Sequence, residues 1–410
     1  MSLNKNIAYL IGGTGIAQIF TFAISPLLTR LYTPKDFGIL GTVLAASSII
    51  AVVAHLRLNL AIALSSSVEK AKVILKISMM LTLLISFFSS LGIYIYSQIM
   101  GNKNYTWLIV SFIFLFSILN SNIDILNYWQ SYRLRHKESA RNSVIRSITT
   151  GIFQIALSIF TPLGLIIGGL IGASASVFMY IREIFKVGEN KIEAPAGFKV
   201  IKETLKDNSS FPLYSMPQGL LASASLNAVP IILGSAFGIV VAGQYWLAYR
   251  VLLAPIALLG GAYRQVLHPV LSNIDTLTVE KVKTARQHTV YFFILLIPIM
   301  FFCFLFLEKV FTFIFGKDWS QAGIFASWLV LCFSLDIIKV PSISIIHALK
   351  LHKKFLIFEI VLGISRVSSL LLSLKLNDPT LSIIVFTFIN LILTFLLIYL
   401  VLYSWIKLRI

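Results

Sequence analysis

Six ionisable side chains lie inside long apolar stretches of the sequence, namely Asp124, Arg250, Asp336, Lys339, Glu359 and Arg366. An isolated charge near the centre of a bilayer costs about 2.5 to 3.5 kcal/mol, so we expect each of them to have a partner or to face water. Asp336 and Lys339 are three residues apart and share one helix face, which allows them to neutralise each other. Glu359 and Arg366, seven residues apart, have the same possibility.

The basic members of this set suit an anionic ligand. A guanidinium group matches two phosphate oxygens at once, whereas a lysine acts as a point charge. Arg250 has no acidic neighbour within two helical turns, which leaves it available to a partner on another helix or to an anionic substrate. The candidate substrate-binding cations are Arg30, Arg250, Lys339 and Arg366. The candidate ion-coupling carboxylates are Asp124, which is the best candidate for a proton or sodium site, Asp336 and Glu359.

Neutral polar residues form stripes on two of the apolar stretches. Thr14, Gln18, Thr21 and Ser25 follow each other at steps of three and four, and so do Ser117, Asn120, Asp124, Asn127 and Ser131. Such steps keep side chains on one face of a helix. In a bilayer this face meets either another helix, through Ser, Thr and Asn hydrogen bonds, or a water-filled cavity. On the second alternative, Gln18, Asn120 and Asn127 are candidate substrate-binding residues.

Signatures of enzyme chemistry are absent from the sequence. The glycine-bearing run GGTGIAQ (residues 12–18) lacks the Gly-Lys-Ser/Thr ending of a nucleotide-binding loop, and no G-x-S-x-G elbow occurs. The six histidines never form a close pair at metal-ligand spacing, and Cys303 and Cys332 lie in apolar runs as packing residues. We therefore expect a protein that is not an enzyme, with no cofactor and no metal site.

The composition shows which elements carry these residues. The chain is 58% hydrophobic and only 12% charged, too few charges to cover the surface of a water-soluble domain. A helix needs about 20 apolar residues to cross a bilayer, so 410 residues with short loops predict an all-α integral membrane protein of about twelve transmembrane helices. The first apolar stretch, residues 7–28, lacks a cleavage pattern and is expected to be retained.

Most of the 34 lysines and arginines fall on one side of this predicted topology. With the amino terminus in the cytoplasm, the inside segments carry the excess of basic residues, and both termini face the cytoplasm. The net charge of +18 then follows from insertion topology and contact with the anionic lipid bilayer, and no nucleic-acid partner is needed to explain it.

A long connection divides the chain into two halves. We predict an amino-terminal six-helix bundle over residues 1–181, a cytoplasmic linker over 182–210 and a carboxy-terminal six-helix bundle over 211–410. Phe198, Ile201 and Leu205 recur at helical spacing in the linker, which predicts a short amphipathic helix at the membrane interface. The sequence VEKAK (residues 68–72) recurs as VEKVK (residues 279–283), which indicates a parallel repeat of the two bundles.

The run GGTGIAQIFTFAISPLLTRLYTPKDFGILGTV (residues 12–43) resembles the opening of bacterial O-antigen flippases of the Wzx type, and LTRLYTPKDFG is its most specific part. These flippases belong to the superfamily of multidrug, oligosaccharidyl-lipid and polysaccharide exporters, so the resemblance implies a MATE-like fold. It maps the family's cationic lumen onto Arg250, Lys339 and Arg366, and its turn signature onto Arg30, Tyr32, Pro34, Asp36 and Gly38.

The resemblance also implies an activity. Members of this family are expected to move an undecaprenyl-pyrophosphate-linked oligosaccharide from the cytoplasmic to the periplasmic leaflet of the bacterial inner membrane, driven by an H⁺ or Na⁺ gradient. An O-antigen polymerase and a chain-length regulator are candidate partners. Each unpaired sugar hydroxyl costs roughly 4 to 8 kcal/mol to move into hydrocarbon, so the lipid-linked unit needs a polar passage.

Two other functions fit the same helices. A drug or cation antiporter of the same superfamily requires an anionic lumen, which the excess of basic residues in the apolar stretches disfavours. A membrane scaffold for polysaccharide enzymes requires no lumen, so its activity would survive substitutions there.

Overall fold

The computed structural model describes residues 3–101, 106–186, 197–271, 279–348 and 351–405. They form fifteen α-helices joined by short turns, without a strand among the described residues. The helices are α1 (Leu3–Leu31), α2 (Pro34–Ala54), α3 (Leu58–Ala63), α4 (Val68–Ile99), α5 (Trp107–Tyr132), α6 (His136–Leu157), α7 (Gly164–Lys186), α8 (Gly197–Asp207), α9 (Met216–Phe237), α10 (Ile239–Leu271), α11 (Val279–Phe315), α12 (Ser320–Ile338), α13 (Val340–Ala348), α14 (His352–Ser373) and α15 (Pro379–Tyr399).

Within the described residues, nine helical segments are long and apolar enough to cross a membrane. Three further long helices, α1, α6 and α10, stand outside that set with 29, 22 and 33 residues. The fold class predicted from composition, an all-α integral membrane protein, is therefore confirmed. The two copies of the VEK motif begin α4 and α11, so each copy opens a long helix.

Local chemistry explains where the helices begin and end. The side chain of Asp36 accepts hydrogen bonds from the backbone N–H and the hydroxyl of Thr33, which caps α2 together with Pro34 in its first turn. Asp378 precedes α15, and its side chain accepts hydrogen bonds from the backbone N–H groups of Thr380 and Leu381 in the first turn. Gly316, with φ of 106°, ends α11 in a backbone conformation that side chains disfavour.

The helices form two compact units, and the unit borders fall inside helices. Unit 1 consists of Met1–Ile24 and Ile39–Ile231, and unit 2 consists of Ser25–Gly38 and Ile232–Ile410. The turn between α1 and α2, with the helix ends on either side of it, therefore belongs to unit 2. Most of α9 belongs to unit 1. The division into six-helix halves at residues 182–210 stays a prediction.

Unit 1 is built around the packing of α3, α4, α5 and α7. Its largest fully buried side chain is Trp129 on α5, which lies in one hydrophobic cluster with Leu58, Leu75 and Tyr180. Helix α8 lies in the long connection, and its Ile201 and Leu205, together with Phe211 beyond it, pack against this cluster. Two residues of the predicted apolar face, Ile201 and Leu205, thus contact the protein core; the side chain of Phe198 lies outside the described residues, and the position of α8 at the membrane interface stays a prediction.

In unit 2 the hairpin segment 25–38 packs on α10 and on the start of α12. The ring of Phe37 meets the ring of Trp319 edge to face at 4.9 Å, and the Trp319 indole donates a hydrogen bond to the Thr29 carbonyl. Two glycines, Gly38 and Gly243, allow the backbone of the hairpin segment to contact the backbone of α10. A Cβ atom on Gly38 would lie 1.9 Å from the Ile239 carbonyl oxygen, and one on Gly243 would lie 1.8 Å from that of Pro34.

Candidate functional site

The polar stripe of α5 faces basic and phenolic side chains from α6 and α7 in unit 1. Arg146 on α6 donates a hydrogen bond of 2.9 Å to the Asn120 side-chain oxygen. The hydroxyl of Tyr180 on α7 donates to the side-chain oxygen of Asn127. Asp124 lies between these two asparagines on the same helix face, four residues after the first and three before the second. Its side chain is exposed.

A second guanidinium reaches this stripe from the break between α2 and α3. Leu56 and Arg57 take left-handed backbone angles there, with φ of 50° and 58°, which ends one helix and redirects the next. Asp124 interacts electrostatically with both Arg146 and Arg57. No ion-pair contact to either is present among the described residues. The Arg57 Nε is buried and lacks a hydrogen-bond partner in the described part of the chain.

This cluster, which we call the unit 1 cluster, consists of Arg57, Asn120, Asp124, Asn127, Arg146 and Tyr180. It holds two guanidinium groups against one carboxylate, so a positive charge remains after neutralisation. Amide groups and a phenol hydroxyl surround the charges and supply further donors. Such an arrangement favours an anion with several acceptor oxygens, because guanidinium groups bind phosphate through paired hydrogen bonds.

His55 stabilises the break that carries Arg57. It follows the last residue of α2, is 1% exposed, and its Nδ1 accepts a hydrogen bond of 3.1 Å from the Arg57 backbone N–H. Burial, reinforced by the neighbouring Arg57 charge, lowers the pKa of His55 from 6.5 to about 4. The imidazole is therefore neutral near pH 7 and available as an acceptor.

The sequence predicted three members of the unit 1 cluster, Asn120, Asp124 and Asn127, and the structure brings them together. It missed Arg57 and Arg146, because counting charges by topology assigned both to cytoplasmic segments. A signal for Arg146 was present. Asn142, Arg146 and Thr150 recur every four residues, which forms a polar stripe on α6 like the one on α5.

Two of the predicted cations of unit 2, Lys339 and Arg366, are held in separate contacts. Lys339 forms an ion pair of 2.6 Å with Asp336, as the three-residue spacing indicated. The Arg366 Nε donates to the side-chain oxygen of Asn390 on α15. Arg250 and Glu359 are half-buried. Neither has an ion-pair or hydrogen-bond partner among the residues described.

Two further predicted residues lie on α1. Gln18 is half-buried in the unit 1 part of the helix, where Thr21, one turn later, shares a hydrogen bond of 2.8 Å with Ser147 of α6. Arg30 is exposed in the part that belongs to unit 2. Within the described residues no group of three or more His, Cys, Asp or Glu side chains is placed to hold a metal ion.

The arrangement of the helices is that of known membrane transporters. The chain is similar to a structure titled lipid II flippase MurJ in an inward closed conformation, with a TM-score of 0.72, 16% identity, and coverage of 94% of this chain and 86% of that one. It is similar to an inward-facing multidrug resistance MATE family transporter of the MOP superfamily, with a TM-score of 0.58, 14% identity, and coverage of 100% and 95%. A MOP superfamily transporter from Pyrococcus furiosus gives a TM-score of 0.53 at 14% identity, with coverage of 99% and 95%.

These likenesses define the class: a multi-pass membrane protein with the fold shared by MATE transporters and MurJ. Residues 27–323 match the model of a family described as polysaccharide biosynthesis protein, and the chain belongs to that family. No curated protein matches the chain.

Proposed function

We propose that this protein is a flippase that moves an undecaprenyl-pyrophosphate-linked O-antigen oligosaccharide from the cytoplasmic to the periplasmic leaflet by alternating access. The family ties the chain to polysaccharide biosynthesis. The fold is shared with a lipid II flippase, whose title names a lipid-linked substrate. We place the protein in the bacterial inner membrane with both termini in the cytoplasm, and we propose it is not an enzyme.

The unit 1 cluster is the observation that carries this proposal. Pyrophosphate presents several anionic oxygens, and Arg57 and Arg146 offer two guanidinium groups that both interact electrostatically with Asp124. A saccharide carried on that phosphate finds amide and hydroxyl partners nearby, which reduces the cost of removing its hydroxyl groups from water.

Asp124 gives this site a means of coupling to ions. Its carboxylate competes with a bound phosphate for the same two guanidinium groups. Binding of H⁺ or Na⁺ to Asp124 changes the charge that the two guanidinium groups face, and therefore changes their affinity for a phosphate. We propose this linkage as the connection between the ion gradient and lipid transfer, with Asp336 and Glu359 as weaker candidates because the first is paired with Lys339.

The test compares two arginines of α6. Replacing Arg146 with alanine removes the donor to Asn120, and we expect delivery of O-antigen units to the cell surface to fall at least tenfold at native protein levels. Arg141→Ala is the matched control, because Arg141 is 52% exposed and pairs with Glu183, which is not a member of the cluster. The activity is measured by surface O-antigen in cells and by transfer of the labelled lipid in liposomes. Equal activity of both variants would remove Arg146 from the site.

A drug or cation antiporter is the second candidate, favoured by the fold shared with a multidrug transporter. It predicts that Asp124→Asn abolishes protection of cells against cationic dyes, while O-antigen delivery is unaffected. The net positive charge of the unit 1 cluster disfavours it, because two guanidinium groups repel a cationic drug.

A further inference from the structure

One face of α10 in unit 2 carries three large side chains that stay partly accessible. Trp246, Tyr249 and Arg250 are half-buried, whereas Tyr245 and Ala248 between and beside them are buried. Spacings of three and four residues place the three side chains next to each other on the helix. A charged residue on this face disfavours contact with lipid tails, so we take the face to be turned away from hydrocarbon.

The rings on this face are fixed by their neighbours. The Trp246 and Tyr249 rings stack with centroids 5.9 Å apart and planes 29° apart. Behind them, Tyr245 stacks on Tyr249 at 6.1 Å, and Phe333 of α12 meets Tyr249 edge to face at 5.6 Å. Contacts from two helices thus hold the aromatic pair in place before any ligand arrives, which reduces the entropy lost on binding.

Polar groups beside the rings lack partners. The indole N–H of Trp246 is buried without an acceptor, and Arg250 has no ion-pair or hydrogen-bond partner, both statements applying to the described part of the chain. A buried donor without a partner is unfavourable and uncommon in folded proteins. An aromatic surface bordered by the unpaired Arg250 guanidinium group is the arrangement of a ligand site, where apolar contacts give affinity and a few polar groups fix orientation.

We propose that the α10 face, formed by Trp246, Tyr249 and Arg250, binds the sugar rings of the transported lipid. This inference rests on the proposed function. The C–H face of a pyranose ring stacks on the electron-rich face of an aromatic ring, and its hydroxyl oxygens accept hydrogen bonds from the guanidinium group at the rim. The face distinguishes a saccharide from a cationic drug, because Arg250 repels a cation and the nearby Asp336 is already paired with Lys339.

Two lipids separate the sugar from the phosphate in a binding experiment. One is undecaprenyl pyrophosphate without sugar, and the other is the sugar-bearing lipid extracted from cells that accumulate it. We expect the purified full-length protein to bind the sugar-bearing lipid more tightly. Trp246→Ala and Tyr249→Leu should weaken binding of that lipid about tenfold and leave the affinity for undecaprenyl pyrophosphate within twofold of the original.

Conservative variants keep the test independent of folding. Tyr249→Phe retains the ring, so it should bind both lipids within twofold of the original protein. Trp246→Phe retains an aromatic face without the indole N–H and should lose two- to threefold on the sugar-bearing lipid alone. Thermal unfolding in detergent establishes that each variant is folded.

The outcomes distinguish the two proposals. An original protein that binds neither lipid would overturn the flippase function itself. The original protein should prefer the sugar-bearing lipid. If the folded variants Trp246→Ala and Tyr249→Leu keep the same preference, only the sugar site on α10 is overturned. Equal losses for both lipids would also overturn it, because the face would then not discriminate sugar from phosphate.

Discussion

The unit 1 cluster and the Asp336–Lys339 pair of unit 2 arrange charge in opposite ways. In unit 1, Asp124 interacts electrostatically with the guanidinium groups of Arg57 and Arg146 and forms an ion pair with neither among the described residues, so its charge stays available to a cation or a ligand. In unit 2, Asp336 and Lys339 are in contact at 2.6 Å, and Arg366 is bonded to Asn390, while aromatic rings cover the adjacent face of α10. An unpaired charge near an accessible surface suits a step that changes protonation or ligand, and a closed pair suits a rigid support.

Neutralising one carboxylate in each unit tests whether Asp124 and Asp336 have different roles. Asp124→Asn removes the exchangeable charge of unit 1 with little change in shape, and we expect ion-driven delivery of the lipid-linked unit to fall at least tenfold. Asp336→Asn should lower delivery less than threefold. Liposomes with an imposed ion gradient provide the measurement. A larger effect from Asp336→Asn than from Asp124→Asn would reverse the roles assigned to the units.

Acidic pH should weaken the unit 1 cluster, because His55 stabilises the helix break that carries Arg57. Its folded-state pKa of about 4 lies below the ordinary 6.5, so the stabilisation by the neutral imidazole is complete above pH 6.5 and is lost as the pH falls towards 4. The loss amounts to roughly 3 kcal/mol. His55→Asn keeps an acceptor near the Nδ1 position and cannot be protonated there. The midpoint temperature of thermal unfolding in detergent should therefore fall less between pH 7 and pH 4 in this variant than in the original protein.

The Asp336–Lys339 ion pair of unit 2 should contribute little to the free energy of unfolding. Lys339→Ala and Asp336→Ala should each lower the free energy of unfolding by about 1 kcal/mol or less, since the pair is only partly buried. Asp336→Ala should cost more, because the side chain that it leaves unpaired, Lys339, is 18% exposed against 38% for Asp336. The double variant should recover part of the loss. Additive single effects, measured by thermal unfolding, would show that the two charges do not interact.

Local patterns in the sequence predicted much of the site, and long-range packing explains the rest. The steps of three and four residues at Asn120, Asp124 and Asn127 place them on one helix face, and the spacing of Asp336 and Lys339 gives their ion pair. No spacing relates Arg57 to Asp124, because a left-handed break and the packing of α3 on α5 bring them near each other.

The signature segment LTRLYTPKDFG illustrates the same limit. The sequence predicted a turn there, and the capping of α2 by Thr33 and Asp36 agrees with it. Its tertiary contact with Trp319 joins residues almost three hundred positions apart, so no local pattern could have indicated it. The resemblance therefore identified the segment correctly while leaving its packing unknown.

The exchange of segments between the units constrains the order in which the chain can fold. Unit 1 includes residues up to Ile231, and the hairpin segment that ends at Gly38 packs against Trp319. A ribosome that synthesises the chain from its amino terminus must therefore produce more than half of it before unit 1 is complete. The hairpin segment 25–38 is synthesised long before Trp319, its contact partner. The first helices therefore remain in the membrane without their final neighbours during synthesis.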